Sequence, residues 1–383
     1  MRIALDARWI FPEISGIGAY TRELIRHFAR LDRNNAYLLL FDNAALLDRT
    51  ARETDFSSAP NFETELLSYG VFSLANQLRL PALLRRRGAD IYHSTNYMMP
   101  LFSMGATRRI VTIHDVIPMI FRSQISKSRK AKMYTLYSRL MIAIGQRADT
   151  ILTDSRASAA DIIHHLRIPR QREQDVRPVY CGVSDRFRPP AARPRKAAAD
   201  PRSVLYVGRA DPYKNIGVLL RAFASVRRRS SFPVRLVVAG SPDPRYPEAG
   251  DLARSLGVAD AVRWTGYLSD ESLVALYQSA DVLAHPSRYE GFGLQVLEAM
   301  ACGVPVVSSN AASLPEVAGD AALLVAPDDV EAFASAISRV LTAPDLAAEL
   351  ARKGVTQAAK FTWERTARET LRTYEETAAR GRH

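Results

Sequence analysis

Apolar positions in the first 185 residues recur as short runs separated by longer amphipathic stretches. Arg2–Ala7 (RIALDA), Tyr37–Phe41 (YLLLF), Ile91–His93, Arg109–His114 (RIVTIH) and Thr150–Thr153 (TILT) have the length and composition of strands. Gly18–Arg30 has the spacing of a helix, and Asp154 and Ser155 precede a second helical pattern through His165 as N-cap candidates. Strands of this kind alternating with amphipathic helices predict a parallel sheet with crossover helices.

The pattern breaks over residues 186–203, RFRPPAARPRKAAADPRS, which have no apolar period and are expected to be an interdomain linker. The rhythm then restarts. Ser203–Val207, Val234–Ala239, Val262–Thr265, Ala280–His285, Val304–Ser308 and Ala321–Val325 are predicted strands, and Asn215–Arg228 a helix. A last helix, about Trp363–Thr377, follows Phe361 and is rich in charge pairs. The expected class is α/β with two doubly wound domains: 1–185, a linker at 186–203, and 204–361. No short tandem period is present, so a solenoid is excluded.

Three glycine or cation clusters fall at strand ends, where open α/β sheets bind ligands. Gly16-Ile17-Gly18 opens the first helix; its amides suit either a phosphate or a plain tight turn. Val207-Gly208-Arg209, with Lys214 after the turn, sets a forked and a compact cation before a helix. The third cluster is Glu290-Gly291-Phe292-Gly293-Leu294-Gln295-Val296-Leu297-Glu298, a glycine loop that runs into an apolar helix stopped by Gly303. Its free amides suit an anion, and Glu290 and Glu298 bracket a ligand-sized gap. Glu298 lies among apolar neighbours, so its carboxylate needs a partner. His114, beside Asp115, ends a fourth strand.

Other chemistries are absent from the sequence. There is no P-loop Gly-Lys-Ser/Thr, HExxH, GxSxG or DxD motif, and His164 and His165, being adjacent, point in different directions on a helix. Cys181 and Cys302 are too few for a disulfide scaffold or a multi-cysteine metal site. No apolar run approaches the ~20 residues that span a bilayer. Asp6 and Arg8 stand where a secretory leader would be apolar, so a cytoplasmic protein is expected. The net charge is +12, and residues 101–150 alone hold nine Lys/Arg against two Asp/Glu. This favours anionic partners. Residues 122–147 interleave Arg122, Lys127, Arg129, Lys130, Lys132, Arg139 and Arg147 with apolar residues at near-helical spacing. That is either a core-facing helix or a basic surface for anionic lipid.

On these residues the chain resembles glycosyltransferase family 4. The resemblance is carried by Glu290–Asp328 (EGFGLQVLEAMACGVPVVSSNAASLPEVAGDAALLVAPD), Tyr206–Phe223 (YVGRADPYKNIGVLLRAF), Tyr180–Pro189 (YCGVSDRFRP) and VTIHDVIP. SGIGAYTREL and His93–Pro100 are similar to its bacterial mannosyltransferase branch. The resemblance implies a GT-B fold, two Rossmann-like domains facing across a cleft, with a helix at about 362–383 packing back on the first. It further implies a retaining transfer, GDP-mannose first among donors, no cofactor and no metal. The acceptor is a glycan or lipid-linked oligosaccharide in cell-surface polysaccharide synthesis, at or near the inner face of the membrane.

By position, Glu290 would meet the donor sugar, Glu298 the ribose, and Arg209 and Lys214 the diphosphate. Gly16 and Gly18 would lie near the donor phosphates, His114 beside the transferred sugar, and Tyr267 and Leu268 at the base, with Gly291, Phe292, Gly293 and Leu294 completing the donor site. Two positions depart from the family pattern. Gln295 replaces a usual Pro, and Cys181 a usual Asn, which is expected to bear on the hinge alone. With no carboxylate placed as a nucleophile, same-face attack is expected rather than a glycosyl-enzyme. An epimerase or hydrolase on the same fold, and a basic nucleic-acid binder, are the alternatives. The second lacks aromatics, since the basic segment offers mainly Tyr134 and Tyr137.

Overall fold

A computed structural model describes residues 1–12, 16–122, 133–191, 200–240 and 246–380. The chain divides into two compact units. The first comprises residues 1–119, 133–182 and 363 onward, and the second 183–362 with residues 120–122. Each unit holds one wholly parallel sheet.

In the first unit the strands are β1 (Arg2–Asp6), β2 (Ala36–Phe41), β3 (Phe62–Leu66), β4 (Ile91–Ser94), β5 (Arg108–Thr112), β6 (Thr150–Thr153) and β7 (Val176–Pro178), in the order β3-β2-β1-β4-β5-β6-β7. β1 pairs with β2 on one side and β4 on the other, so the strand order reverses between β1 and β4. The central strands are fully buried, as sheets covered on both faces require. β3 and β7, which lack an apolar run, are the two edges.

The helix Trp363–Ala379 belongs to this unit. Its buried face is Thr366, Ala367, Thr370, Thr373, Tyr374 and Thr377, a helical stripe of mostly small residues. Polar contacts tie it down. The Thr366 hydroxyl donates to the Tyr180 carbonyl at 2.7 Å, Tyr374 bonds His93 Nδ1 at 2.6 Å, and Thr377 meets Thr150 at 2.8 Å.

In the second unit the strands are β8 (Arg202–Val207), β9 (Val234–Ala239), β10 (Val262–Trp264), β11 (Val282–His285), β12 (Val306–Ser309) and β13 (Ala322–Val325), ordered β10-β9-β8-β11-β12-β13. The reversal lies between β8 and β11. The helix Ile216–Arg229 lays Leu219, Leu220, Phe223 and Val226 onto this sheet, and Val204, Leu236 and Val282 meet it from below. At about 1.5–3 kcal/mol for each fully buried aliphatic or Phe side chain, this apolar layer dominates the unit's stability. β8 starts at Arg202, so the last residues of the expected linker are strand; its residues 192–199 lie outside the described ones.

Of the basic segment 122–147, residue 122 and residues 133–147 are described. The helix starts at Tyr134, and Lys127, Arg129, Lys130 and Lys132 lie outside the described residues. Its inner face is Tyr137, Met141, Ile144 and Gly145, while Met133 and Leu136 are exposed.

Candidate active site

The carboxyl ends of β8 and β11, on either side of the reversal, bring the expected cation pair and the first glutamate together. After β8 the chain passes Gly208 and Arg209 into a short turn, Pro212–Lys214, and enters its helix through Asn215, whose φ is +60°. The turn is braced. Asn215 Nδ2 donates to the Pro327 carbonyl at 2.6 Å, and Arg288 Nη1 donates to that of Pro212 at 3.2 Å. After β11, Pro286–Gly293 forms the glycine loop. The Ser313 hydroxyl pins it, lying 2.8 Å from the Glu290 carbonyl and 2.7 Å from that of Phe292. Gly293 caps the helix Leu294–Ala301 with φ +106°, and a Cβ there would sit 2.8 Å from Leu314.

Glu290 is buried in a net of donors. Lys214 Nζ lies 2.7 Å from each carboxylate oxygen, and Oε1 also accepts from His285 Nε2 at 2.9 Å and Ser287 Oγ at 2.7 Å. Burial alone would raise its pKa. The Lys214 charge and the His285 hydrogen bond outweigh it and hold the carboxyl well below the usual carboxylate range. Glu290 is therefore an acceptor at all physiological pH values and not a proton donor. Oε2 takes only the Lys214 bond among the described residues, which leaves it lone pairs for a sugar hydroxyl.

The two cations differ in what holds them. Lys214 is nearly buried and spends two of its three N–H bonds on Glu290. The Arg209 side chain is 58% exposed and tied only through Nε to Asp211 Oδ2 at 3.0 Å among the described residues, so most of its fork faces outward.

Glu298 finds the partner that its apolar setting demands. Tyr277 donates to Oε2 at 2.7 Å from the helix Asp270–Ser279. Burial pushes the Glu298 pKa up to about 7, and the tyrosine bond only partly offsets this. Glu290 and Glu298 share no hydrogen-bond partner in the described residues. Gly291 and Leu294 are half-buried, and Phe292 is buried against Phe361. Tyr267 is exposed and Leu268 half-buried. They follow Gly266, whose carbonyl accepts from the Gly240 amide at 3.2 Å, which fixes their segment beside the end of β9.

The first unit holds the other expected residues. Gly16 and Gly18 form the first turn of the helix Gly16–Leu31 rather than a loop before it. From that helix Tyr20 packs edge-on against His114, with ring centroids 4.9 Å apart. His114 Nδ1 donates to Asp154 Oδ2 at 2.8 Å, and Nε2 donates to the Thr95 carbonyl at 3.1 Å. Only the doubly protonated ring can make both bonds. Burial pulls the His114 pKa down, but the Asp154 charge and hydrogen bond, with the Thr95 carbonyl, raise it overall. Ser155, not Asp154, caps the helix Arg156–His165 by accepting from the Ser158 amide, and this leaves Asp154 for the imidazole.

Cys181 is more than a hinge residue. Its buried thiol hydrogen-bonds Asp154 and is driven well above its ordinary pKa, first by burial and then by that charge. At the end of β1, Asp6 and Arg8 form a buried bidentate pair at 2.8 and 2.6 Å, to which Tyr92 adds a hydrogen bond at 2.7 Å.

The glycosyltransferase family 4 model matches residues 14–187, and the model of glycosyl transferases group 1 matches 189–357. The O-antigen chain mannosyltransferase B of Escherichia coli is 30% identical over 388 residues, covering 98% of this chain and 99% of that protein. The chain belongs to glycosyltransferase family 4. Among its relatives, the MMP alpha-(1->4)-mannosyltransferase of Mycolicibacterium hassiacum is 34% identical over 311 residues, covering 77% of this chain and 72% of that protein. A D-inositol 3-phosphate glycosyltransferase of Saccharomonospora viridis is 37% identical over 246 residues, covering 61% and 56%. Anabaena HepE in complex with UDP has the same fold, with a TM-score of 0.74 at 18% identity over 98% of this chain and 99% of that one. The family 4 fold here is thus of the GT-B type, with two Rossmann-like parallel-sheet units. No helix among the described residues is long and apolar enough to cross a membrane.

Proposed function

We propose that this glycosyltransferase is a retaining mannosyltransferase that uses GDP-mannose. Its acceptor is a hydroxyl of a glycan or lipid-linked oligosaccharide in the cytoplasmic stage of cell-surface polysaccharide synthesis. The observation that carries the mannosyl reading is the end-to-end similarity to a mannosyltransferase at 30% identity.

In this reading the donor diphosphate sits at the carboxyl ends of β8 and β11. The fork of Arg209, the third N–H of Lys214 and the amides at the start of the Leu294–Ala301 helix face its oxygens. As the glycosidic bond breaks, negative charge grows on the diphosphate, and cations already fixed in place favour that state over the ground state. This charge supply is the reason for proposing no metal and no cofactor. Glu290 Oε2 accepts from a sugar hydroxyl. Glu298 accepts from the ribose hydroxyls, and Tyr267 and Leu268 meet the base through their backbone. Gly16 and Gly18 serve the phosphates, and the His114 imidazolium orients the transferred sugar. The acceptor hydroxyl attacks the anomeric carbon on the face the nucleotide leaves, and its proton passes to the departing phosphate.

Exposed Met133 and Leu136, 54% and 61% accessible and near Arg139, support a peripheral contact with anionic lipid. Cosedimentation with vesicles of graded anionic content checks this; binding that ignores lipid charge contradicts it. The donor is tested by a thermal-shift panel, since a ligand that binds only the native state raises the midpoint. GDP and GDP-mannose raise it in this reading. Stabilisation by UDP and not by GDP reverses the choice of base.

A further inference from the structure

A cavity of about 950 Å³ opens in the first unit at the amino ends of β5 and β6. This is the opposite end of the sheet from His114. The five steps from Arg109 to His114, at ~3.3 Å each, separate the two ends by about 17 Å. Five arginines line it: Arg108, Arg109, Arg147, Arg172 and Arg380. Two carboxylates, Asp149 and Asp175, face them.

Three of the arginines are engaged. Arg108 pairs with Asp149 at 3.1 Å and donates to the Arg380 carbonyl. Arg172 pairs with Asp175 at 3.2 Å and donates to the Gln146 and Ala148 carbonyls, which satisfies the end of the Tyr134–Arg147 helix. Arg380 pairs with Asp175. These contacts are structural and need no ligand.

Arg109 and Arg147 are different. Among the described residues, Arg109 Nε is buried without a hydrogen-bond acceptor. Asp149 takes only its backbone amide, at 2.8 Å. Arg147 reaches one carbonyl, that of Ala143, at 3.5 Å, the outer limit of a hydrogen bond. A buried donor left unmade costs about 1–3 kcal/mol, more when charged. Two like charges facing one cavity add to that cost. Among the described residues the five guanidiniums exceed the two carboxylates by three charges. Two helix carboxyl ends also meet here, the second from Trp363–Ala379, and each contributes roughly half a negative charge. The remaining excess is about +2, the complement of a phosphate dianion.

We propose that this cavity binds a phosphate group, with Arg109 and Arg147 as its principal donors, at a site separate from the sugar-transfer chemistry. Planar guanidinium forks suit phosphate oxygens bidentately, which ammonium groups do not. The phosphate could belong to a small soluble ion or to a lipid headgroup; the chemistry of recognition is the same.

The test titrates the whole protein with inorganic phosphate by calorimetry at constant ionic strength. It compares wild type with R147Q, R109Q/R147Q and R254Q, the last a charge-matched control on the exposed helix Glu248–Ser255 of the second unit. Arg147 is exposed, so R147Q leaves folding intact and keeps the test valid if the double variant fails to fold. The expected result is phosphate binding weakened about tenfold in R147Q and more in the double variant, with R254Q unaffected. Vesicles containing phosphatidic acid then identify the source. Cosedimentation lowered in R147Q assigns a headgroup, and phosphate binding without vesicle binding assigns a soluble ion. Equal phosphate affinity in wild type and R147Q, or binding weakened as much in R254Q as in R147Q, overturns the proposal.

Discussion

Lys214 and Glu290, 76 positions apart in sequence, close a nearly buried ion pair in which one ammonium reaches both carboxylate oxygens at 2.7 Å. The pair fixes the turn after β8 against the glycine loop after β11. The positive and negative halves of this candidate site are therefore one unit of structure. Each charge is satisfied before any ligand arrives, and each keeps unused hydrogen-bonding capacity.

Lys214→Met leaves Glu290 buried with no cation. Breaking one partner of a buried pair costs about 3–5 kcal/mol. The expected outcome is a lower denaturant midpoint together with lost transfer. Unchanged stability means that the pair contributes nothing to the fold.

Arg209→Gln separates catalysis from stability. The side chain is exposed and holds only Asp211 among the described residues, so the midpoint stays within about 0.5 kcal/mol of wild type. On the proposed mechanism turnover falls by about 10²–10³, because there the guanidinium stabilises charge that develops on the leaving diphosphate. A rise in KM with kcat unchanged places Arg209 in ground-state binding instead.

On the proposed assignment of Glu298 to the ribose, the pH dependence of nucleotide binding reports on its carboxyl. Its pKa is about 7 in the folded protein, and the charged form accepts hydroxyl donors better. Nucleotide affinity therefore rises between pH 6 and pH 8, and Glu298→Gln flattens this dependence. The same raised pKa makes Glu298 favour the folded state at low pH. That contribution is full below the ordinary glutamate range and is lost as pH rises through about 7.

His114 and Asp154 give a spectroscopic prediction. The raised His114 pKa means that its stabilising contribution is present below the ordinary histidine range and is lost as pH climbs through the folded value. An NMR titration shows the His114 ring protonated to higher pH than an unperturbed imidazole. Asp154→Asn removes the charge and brings the value down. A His114 pKa unchanged in that variant contradicts the assignment of Asp154.

Gly240→Ala tests the close approach of two strand ends. A Cβ at Gly240 would lie 2.3 Å from the Gly208 carbonyl oxygen, and its φ of +148° disfavours a side chain. The expected loss is about 2–3 kcal/mol, measured by chemical denaturation.

What the sequence made legible follows its local chemistry. The central strands and the glycine loop stood out because a fully buried strand is a continuous apolar run and a glycine turn precedes an apolar helix. β3, with the text FETEL, and β7, three residues ending in Pro178, are sheet edges. A half-exposed edge carries no apolar run, and proline is tolerated there, so neither was legible. Asp154 and Ser155 are equivalent N-caps on paper; only the fold shows that the serine caps and the aspartate holds His114. Arg209 and Lys214 look like one cation pair, yet burial separates them into an exposed fork and a sequestered ammonium. His285 and Ser287 were hidden in the run that ends β11, because nothing local says that their side chains turn toward Glu290. The arginine cavity gathers residues from 108 to 380, a distance over which sequence periodicity carries no information.

The central claim is sugar transfer from GDP-mannose with retention. The most direct measurement supplies GDP-mannose, GDP-fucose, UDP-glucose and UDP-galactose in turn with a mannan oligosaccharide acceptor and follows the product by mass spectrometry and anomeric NMR couplings. The account predicts an acceptor extended by one hexose from GDP-mannose alone, with the α configuration of the donor kept. An inverted product, turnover of the UDP-sugars only, or an epimerised nucleotide sugar with no extended acceptor contradicts it.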